Sequence, residues 1–206
     1  MDSVKNCSRT CRAGGKGHHH GRGPSSFWMH EPDEVFGELD LKPGDVFLDL
    51  GCGTGDYSIC AAEEVGETGI VYASDIREDL IDNLLGNSGQ LGLNNIKGVI
   101  SDIHEALPFE DSSIDVCLIS TVLHSVDLES CGKTLFGEIK RILKPKGRLF
   151  IIECKKEETQ FGPPLHMKLS PEVIEVYASS CGLKWISSTD LGNNYMICYS
   201  PGEAAQ

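Results

Sequence analysis

Residues 46–57 read VFLDLGCGTGDY and carry the strongest structural signal in this chain. Their first part, Val46 to Leu50, is a short apolar run, long enough for one buried strand and too short for a helix. Glycines follow at three alternate positions: Gly51, Gly53 and Gly55. Glycine has no Cβ, so such a turn lets a ligand approach the backbone closely. The stretch predicts a strand, a ligand-binding turn and a helix over about 57–64, whose first N–H groups face the ligand.

Two carboxylates, Asp49 and Asp56, flank this turn and indicate the charge of its ligand. A dinucleotide-binding turn has the spacing G-x-G-x-x-G, whereas this turn has G-x-G-x-G and an acid where the last glycine would stand. A carboxylate at a helix N-terminus repels a pyrophosphate. It attracts a ligand that carries an ammonium and a sulfonium group. S-adenosylmethionine is such a ligand, and it is the predicted cofactor.

Residues 48–55, LDLGCGTG, resemble the first motif of the class I S-adenosylmethionine-dependent methyltransferases. The resemblance extends over about 32–200 and is closest to the small C-methyltransferases of ubiquinone and menaquinone biosynthesis. The KPKG turn at 144–147 and a short C-terminal cap contribute to it. It implies methyl transfer from S-adenosylmethionine to a small-molecule acceptor.

Apolar runs alternate with helical patterns along the rest of the chain, which predicts an α/β fold. Further strands are expected at 70–74, 96–101, 114–120 and 148–153, and helices at 32–39, 78–91 and 128–143. A last helix at 171–181 precedes two runs, 183–189 and 195–199, that a hairpin-type loop joins. The expected architecture is a Rossmann-like, seven-stranded, mostly parallel sheet with helices on both faces and a C-terminal antiparallel strand pair.

Residues 1–26 are rich in Gly, Ser, Cys and His and have no hydrophobic periodicity, which predicts a flexible tail before a single methyltransferase domain at 27–206. The tail contains Cys7, Cys11 and the run His18, His19 and His20. This spacing is not typical of zinc sites. We therefore predict no resident metal, although binding of a metal by these residues stays open.

The charge of the chain bears on its partners and its location. The formal net charge is −13, and such an acidic surface repels the phosphates of a nucleic acid. No apolar run reaches the roughly 18 residues of a membrane span, and no signal-peptide pattern follows the N-terminus. The nine cysteines fit reduced, mostly buried thiols. These features predict a cytoplasmic protein without a nucleic-acid partner, and they leave the oligomeric state open.

Ligands of open α/β sheets bind beyond the carboxyl ends of the strands, which selects the remaining cofactor residues. We expect Asp75, after the second strand, to accept from both ribose hydroxyls, with a helix cap as the alternative. Asp102, after the third, is expected to accept from the adenine amino group, with a surface-loop acid as the alternative. By the resemblance, Ile76 and Ile103 join them around adenosine. The other expected cofactor residues are Asp49, Gly51, Cys52, Gly53, Gly55, Tyr57 and Ser120.

The acceptor side is less specified by the sequence. His124 follows the fourth strand, and His166 lies in the loop 162–167; both are candidate catalytic bases. His124 has a capping role as its alternative. Trp28 and its neighbours form either a lid over the cofactor or part of the core. The fourth strand lacks the Asn/Asp-Pro-Pro-Tyr/Phe motif of adenine-N6 and glutamine-N5 methyltransferases, which argues against those substrates.

Methyl transfer from a sulfonium mainly requires alignment of the acceptor, and a base helps only when the acceptor carries a proton of high pKa. The acceptor atom therefore stays open: a phenolic or quinol carbon, a small thiol, or arsenite. An arsenite or thiol methyltransferase would use cysteines, with four candidates: Cys7, Cys11, Cys131 and Cys154. A non-catalytic S-adenosylmethionine-binding protein is a further alternative.

Overall fold

The computed structural model describes residues 26–159 and 162–202. The predicted tail lies outside these residues except for Ser26, and so do its cysteines and histidines.

The described part of the chain contains one seven-stranded sheet of order β3-β2-β1-β4-β5-β7-β6. The strands are β1 Val46–Leu50, β2 Ile70–Asp75, β3 Ile96–Ile100, β4 Ile114–Ser120, β5 Leu143–Cys154, β6 Leu183–Leu191 and β7 Asn194–Pro201. β1 to β5 pair in parallel, and β7 lies antiparallel between β5 and β6. The strand order reverses between β1 and β4, so the crevice for a ligand lies at the carboxyl ends of these two strands.

Helices cover both faces of the sheet. They are α1 Pro32–Leu39, α2 Asp56–Val65, α3 Glu78–Gln90, α4 Leu128–Ile142 and α5 Pro171–Ser180, with short 3₁₀ turns at Ser26–Met29, Leu123–Ser125 and Leu165–Met167. One core cluster lies between the sheet and α1, α2 and α3, and a second lies between the sheet and α4 and α5. This architecture confirms the predicted fold class.

Local sequence explains how α4 forms. The Asp127 side chain caps the helix by accepting from the Glu129 N–H. Lys140 and Arg141 lie in the last turn, where positive charges interact favourably with the helix dipole. Its apolar side chains recur at helical spacing and are buried against the sheet: Leu128, Leu135, Phe136, Ile139 and Ile142.

The prediction of a turn at 144–147 before the fifth strand was wrong, because these residues lie inside β5. The strand begins at Leu143, and its register against β4 shifts between the pairs Ile114–Leu143 and Val116–Arg148. A Cβ at Gly147 would stand 2.9 Å from the Lys144 carbonyl oxygen, so glycine permits this close fold of the backbone. The extra residues form a bulge within a continuing ladder. The other elements lie close to their predicted positions.

Helices of membrane-spanning length and apolarity are absent from residues 26–159 and 162–202.

Candidate cofactor and acceptor site

The glycine turn after β1 uses its three glycines for two different purposes. All three have positive φ: 80° at Gly51, 55° at Gly53 and 81° at Gly55. A Cβ at Gly51 would stand 2.5 Å from Val122 Cγ2, and one at Gly55 would stand 2.4 Å from Leu84 Cδ1. A Cβ at Gly53 would meet nothing within 4 Å. Gly51 and Gly55 therefore admit neighbouring side chains, whereas Gly53 faces open space that a ligand fits.

Asp75, the last residue of β2, holds this turn through main-chain hydrogen bonds. Its Oδ2 accepts from Gly53 N at 2.9 Å, and its Oδ1 accepts from Arg77 N at 3.0 Å. The N-cap residue of α3 is Arg77, so Asp75 lies outside the cap position that the alternative assigned to it. A carboxylate oxygen accepts more than one hydrogen bond. Both oxygens thus retain acceptor capacity for a diol beside Gly53.

Asp49 is a buried carboxylate beneath the same turn. It is 1% exposed, and Ser58 Oγ donates to its Oδ2 at 2.6 Å. The pKa of Asp49 is raised to about 7, chiefly by burial; the Ser58 hydrogen bond lowers it, and the negative charges of Asp75 and Asp56 contribute to the rise. The charged form is therefore poorly stabilised by the protein alone. A cationic ligand in front of the turn would stabilise it.

Asp102, two residues beyond β3, forms a local pair with His104. Its Oδ1 accepts from His104 N at 2.9 Å and faces His104 Nδ1 at 2.7 Å. The bond from the His104 backbone, followed by that from its ring, holds the pKa of Asp102 below its usual value, so this acid is an ionised acceptor. Ile76 is 62% exposed, whereas Ile103 leans on the core cluster beneath α4.

The 3₁₀ turn Ser26–Met29 covers the carboxyl ends of β1 and β4. Phe27 is buried and stands edge-on to the Tyr57 ring, 5.0 Å away, while Trp28 is 49% exposed. Ser26 Oγ lies 3.0 Å from Ser120 Oγ at the end of β4. The segment thus combines a core anchor, Phe27, with a half-exposed aromatic residue. Buried Phe27 fits the core interpretation of this segment, whereas a lid formed by Trp28 and its neighbours stays a prediction.

Polar groups beneath this cover are uncharged. His30 Nε2 hydrogen-bonds the Tyr57 hydroxyl. Burial lowers the pKa of His30 to about 4 and raises that of Tyr57. The imidazole and the phenol are therefore both neutral near pH 7.

His124 lies in the 3₁₀ turn Leu123–Ser125 and is held by Glu153. The His124 N–H donates to Glu153 Oε1 at 3.2 Å, and its Nδ1 lies 3.0 Å from Glu153 Oε2. Val122, just before this turn, packs on Gly51, which places His124 beside the cofactor crevice. Sequence reasoning missed Glu153. Its signal was a carboxylate inside the apolar run 149–154, the same signal that identified Asp49.

Comparison with known proteins agrees with this geometry. Residues 41–194 match a family model described as a methyltransferase domain. The ubiquinone/menaquinone biosynthesis C-methyltransferase UbiE of Hydrogenovibrio crunogenus is 37% identical over 132 residues, which are 63% of this chain and 48% of that protein. The demethylmenaquinone methyltransferase of Lactobacillus johnsonii is 33% identical over 173 residues, 77% of this chain and 68% of that protein.

Among solved structures, a SAM-dependent methyltransferase from Aquifex aeolicus is similar with a TM-score of 0.78 and 28% identity, over 87% of this chain and 94% of that one. The chain belongs to the S-adenosylmethionine-dependent methyltransferase family. The predicted family and cofactor are thereby confirmed. The chain spans about half the length of the UbiE protein cited above, so its own activity and acceptor are matters for proposal.

His166, the second candidate base, is exposed in the turn Leu165–Met167. Among the described residues it makes no hydrogen bond with His124 or Glu153. The C-terminal end of its loop is held by buried Lys168, which donates to the Glu157 carbonyl at 2.7 Å. Gly162, at the other end, lies near Cys154, since a Cβ there would stand 3.4 Å from Cys154 Sγ. The loop is therefore positioned next to the end of β5.

Two cysteines of the arsenite alternative, Cys131 and Cys154, are free thiols in this methyltransferase. Cys131 Sγ donates to the Asp127 carbonyl at 3.1 Å. Burial raises the pKa of both thiols, and the neighbouring charge of Glu153 raises that of Cys154 further. Soft metals and metalloids bind thiolates, so these two side chains are poorly prepared for that chemistry. Cys7 and Cys11 lie outside the described residues.

Proposed function

We propose that this methyltransferase transfers the methyl group of S-adenosylmethionine to a ring carbon of a small, neutral hydroquinone-type acceptor. The observation that carries the proposal is the glycine turn: a Cβ at Gly53 would meet open space, Asp75 accepts from the Gly53 N–H, and the Asp49 carboxylate is buried beneath the turn. When bound there, S-adenosylmethionine supplies an electrophilic methyl group. The chain's own residues bind, orient and shield the reactants.

Cofactor binding is assigned to residues on three neighbouring strands. Asp75 receives the ribose hydroxyls with the acceptor capacity that its two backbone bonds leave. Asp102 accepts from the adenine amino group, with Ile76 and Ile103 on the two sides of the ring. Asp49 stabilises the positive charge of the cofactor through the buried wall of the crevice. The turn residues Gly51, Cys52, Gly53 and Gly55 support these positions together with Tyr57 and Ser120.

The acceptor assignment rests on the uncharged cover and on the relatives. The hydroxyls of Ser26, Ser120 and Tyr57 lie with neutral His30 above the ends of β1 and β4. These groups match the oxygens of a neutral ring better than a phosphate or a carboxylate. The two curated relatives are named for quinone methylation. The net charge of −13 disfavours a nucleic-acid substrate. We propose that the protein acts on a small molecule in the cytoplasm.

Transfer of radiolabel tests the acceptor. The full chain is incubated with S-adenosyl[methyl-¹⁴C]methionine and either 1,4-dihydroxynaphthalene, a small thiol or arsenite. We expect label in the naphthalene product, with the new methyl on a ring carbon by NMR. Predominant labelling of the thiol or of arsenite contradicts the proposal. Binding of S-adenosylhomocysteine without transfer to any acceptor, including an extract of small molecules, supports the non-catalytic binding protein instead.

A further inference from the structure

Glu153 is a fully buried carboxylate that the cofactor cradle does not use. It is 0% exposed at the end of an apolar strand, and its hydrogen bonds in the described structure go to one residue, His124. A buried carboxylate without full compensation destabilises a protein. An apolar residue in β5 would avoid that cost, and His124 is the residue on which the carboxylate acts.

We infer that Glu153 is a positioning residue that fixes His124 in the tautomer with the proton on Nδ1, so that Nε2 is the base for the acceptor. Glu153 Oε2 lies 3.0 Å from Nδ1 and, as a carboxylate, only accepts hydrogen bonds. Nδ1 must therefore carry the proton. With the proton on Nδ1, the lone pair of the imidazole is on Nε2, and the side chain remains 18% exposed.

The chemistry rests on the proposed function. The acceptor hydroxyl gives its proton to His124 Nε2, and the oxygen's electron pair moves into the ring. The ring carbon forms its bond to the methyl group as the bond from methyl to sulfur breaks, and the sulfur leaves as a neutral thioether. The methylated carbon then loses its proton to water, which restores the aromatic ring, and Nε2 returns its proton to the oxygen. The net release is one proton.

Other titratable groups near Glu153 do not replace His124 in this role. Tyr195 on β7 and Cys154 on β5 have pKa values raised by burial first and then by the charge of Glu153. Tyr195 also donates its hydroxyl proton to the Leu169 carbonyl at 2.9 Å. The charge of Glu172 on α5 also raises the pKa of Tyr195, and the charge of Lys168 in the preceding loop lowers that of Cys154. Both Tyr195 and Cys154 remain protonated near neutral pH.

A structural rival assigns Glu153 only the task of anchoring the main chain at His124. Glu153→Gln separates the two. The amide oxygen still accepts from the His124 N–H, so the anchor persists. The amide NH₂ donates to Nδ1, which moves the ring proton to Nε2 and removes the base. Glu138→Gln is the matched control, since Glu138 is a half-buried carboxylate bonded to Arg141 and to Leu107 N.

Two measurements on the full chain test the inference. Long-range ¹H–¹⁵N correlation gives the tautomer, with the His124 signals identified by their loss in His124→Asn. Wild type should show the proton on Nδ1 and Glu153→Gln should show it on Nε2. With 1,4-dihydroxynaphthalene, Glu153→Gln should lower turnover roughly 10²–10³-fold and change the pH profile of the rate, while Glu138→Gln leaves both the turnover and the profile unchanged.

Distinct outcomes separate this inference from the proposed function. A wild-type proton on Nε2 overturns the inference even when Glu153→Gln does not fold, and so does a Glu153→Gln variant with the wild-type rate and pH profile. Failure of wild type to methylate any acceptor contradicts the proposed function, whereas the tautomer measurement needs no acceptor and still decides whether Glu153 positions His124.

Discussion

In the cofactor half of the site, around the glycine turn, Asp75 binds main-chain groups. In the acceptor half, around Ser120 and His124, side chains also bind one another across long separations in sequence. Asp75 accepts from Gly53 N and Arg77 N. Ser26 and Ser120, by contrast, meet across 94 positions of sequence. A binding site whose hydrogen bonds use main-chain groups tolerates substitution of the side chains around it. An acceptor half made of side chains changes its ligand when one of them changes.

His124→Ala should cause the largest functional loss, and most of that loss should fall on the acceptor half. Without the imidazole base, turnover should fall roughly 10²–10⁴-fold. Single-turnover kinetics with 1,4-dihydroxynaphthalene measure the chemical step. Because Val122 of the same segment packs on Gly51, a modest weakening of cofactor binding is also expected, and calorimetry reports it separately.

His166→Ala is the competing variant for the same step. His166 is exposed and has no hydrogen bond to Glu153 in the described structure, so we expect a smaller loss than with His124→Ala, at constant cofactor affinity. A loss of 10²-fold or more confined to His166→Ala would transfer the role of base to the loop after β5. Near-wild-type rates in both variants would leave alignment alone as the mechanism.

Phe27→Ala tests whether the cover is part of the folded core. Phe27 is 1% exposed and contacts Trp28 and Tyr57 ring to ring. Its removal should lower the free energy of unfolding by about 3–5 kcal/mol, measured by denaturant titration. Trp28→Ala, which removes a half-exposed ring, is the control and should cost much less. Equal, small losses in both variants would mean that the segment lies loosely on the sheet.

Asp75→Ala should affect the cofactor half and spare the acceptor half. Losing the acceptor of the ribose hydroxyls should weaken S-adenosylmethionine binding by about 1.5–3 kcal/mol, the range for hydrogen bonds to a charged group. Calorimetry measures this loss, and thermal unfolding without ligand is the control. A variant that loses stability by about 1 kcal/mol but binds the cofactor normally would restore the helix-cap interpretation.

The contrast between the halves also explains what the sequence predicted. Asp49, the glycines and Asp75 lie where strands end, so strand periodicity and the switch-point rule locate them without tertiary information. Glu153 and His124 are 29 positions apart, and nothing local joins them. The prediction of a turn at the KPKG segment was wrong for a related reason. Its local pattern is that of a turn. Because Leu143 before the segment and Arg148 after it both pair with β4, the segment forms a bulge within β5. Long-range pairing decided both cases.

The smallest expected effect is a pH dependence of cofactor affinity that originates at Asp49. In the unliganded protein burial raises the pKa of Asp49 to about 7, from its ordinary value of 3.8. This group therefore contributes stability that is present at low pH and is lost as pH rises through about 7. A cationic ligand favours the ionised carboxylate, so its affinity should change in the opposite direction and fall roughly tenfold from pH 8 to pH 6.

Calorimetry with S-adenosylmethionine across this pH range measures the effect. Asp49→Asn should bind more weakly at pH 8 and show a flat profile, because its side chain does not titrate. 5′-Methylthioadenosine, which lacks both the ammonium and the sulfonium, should bind wild type with a flat profile as well. The charge of Glu153 lies in the other half of the site, so Glu153→Gln should keep the wild-type slope. A slope that survives in Asp49→Asn would show that another group, and not the buried acid under the glycine turn, senses the cofactor's charge.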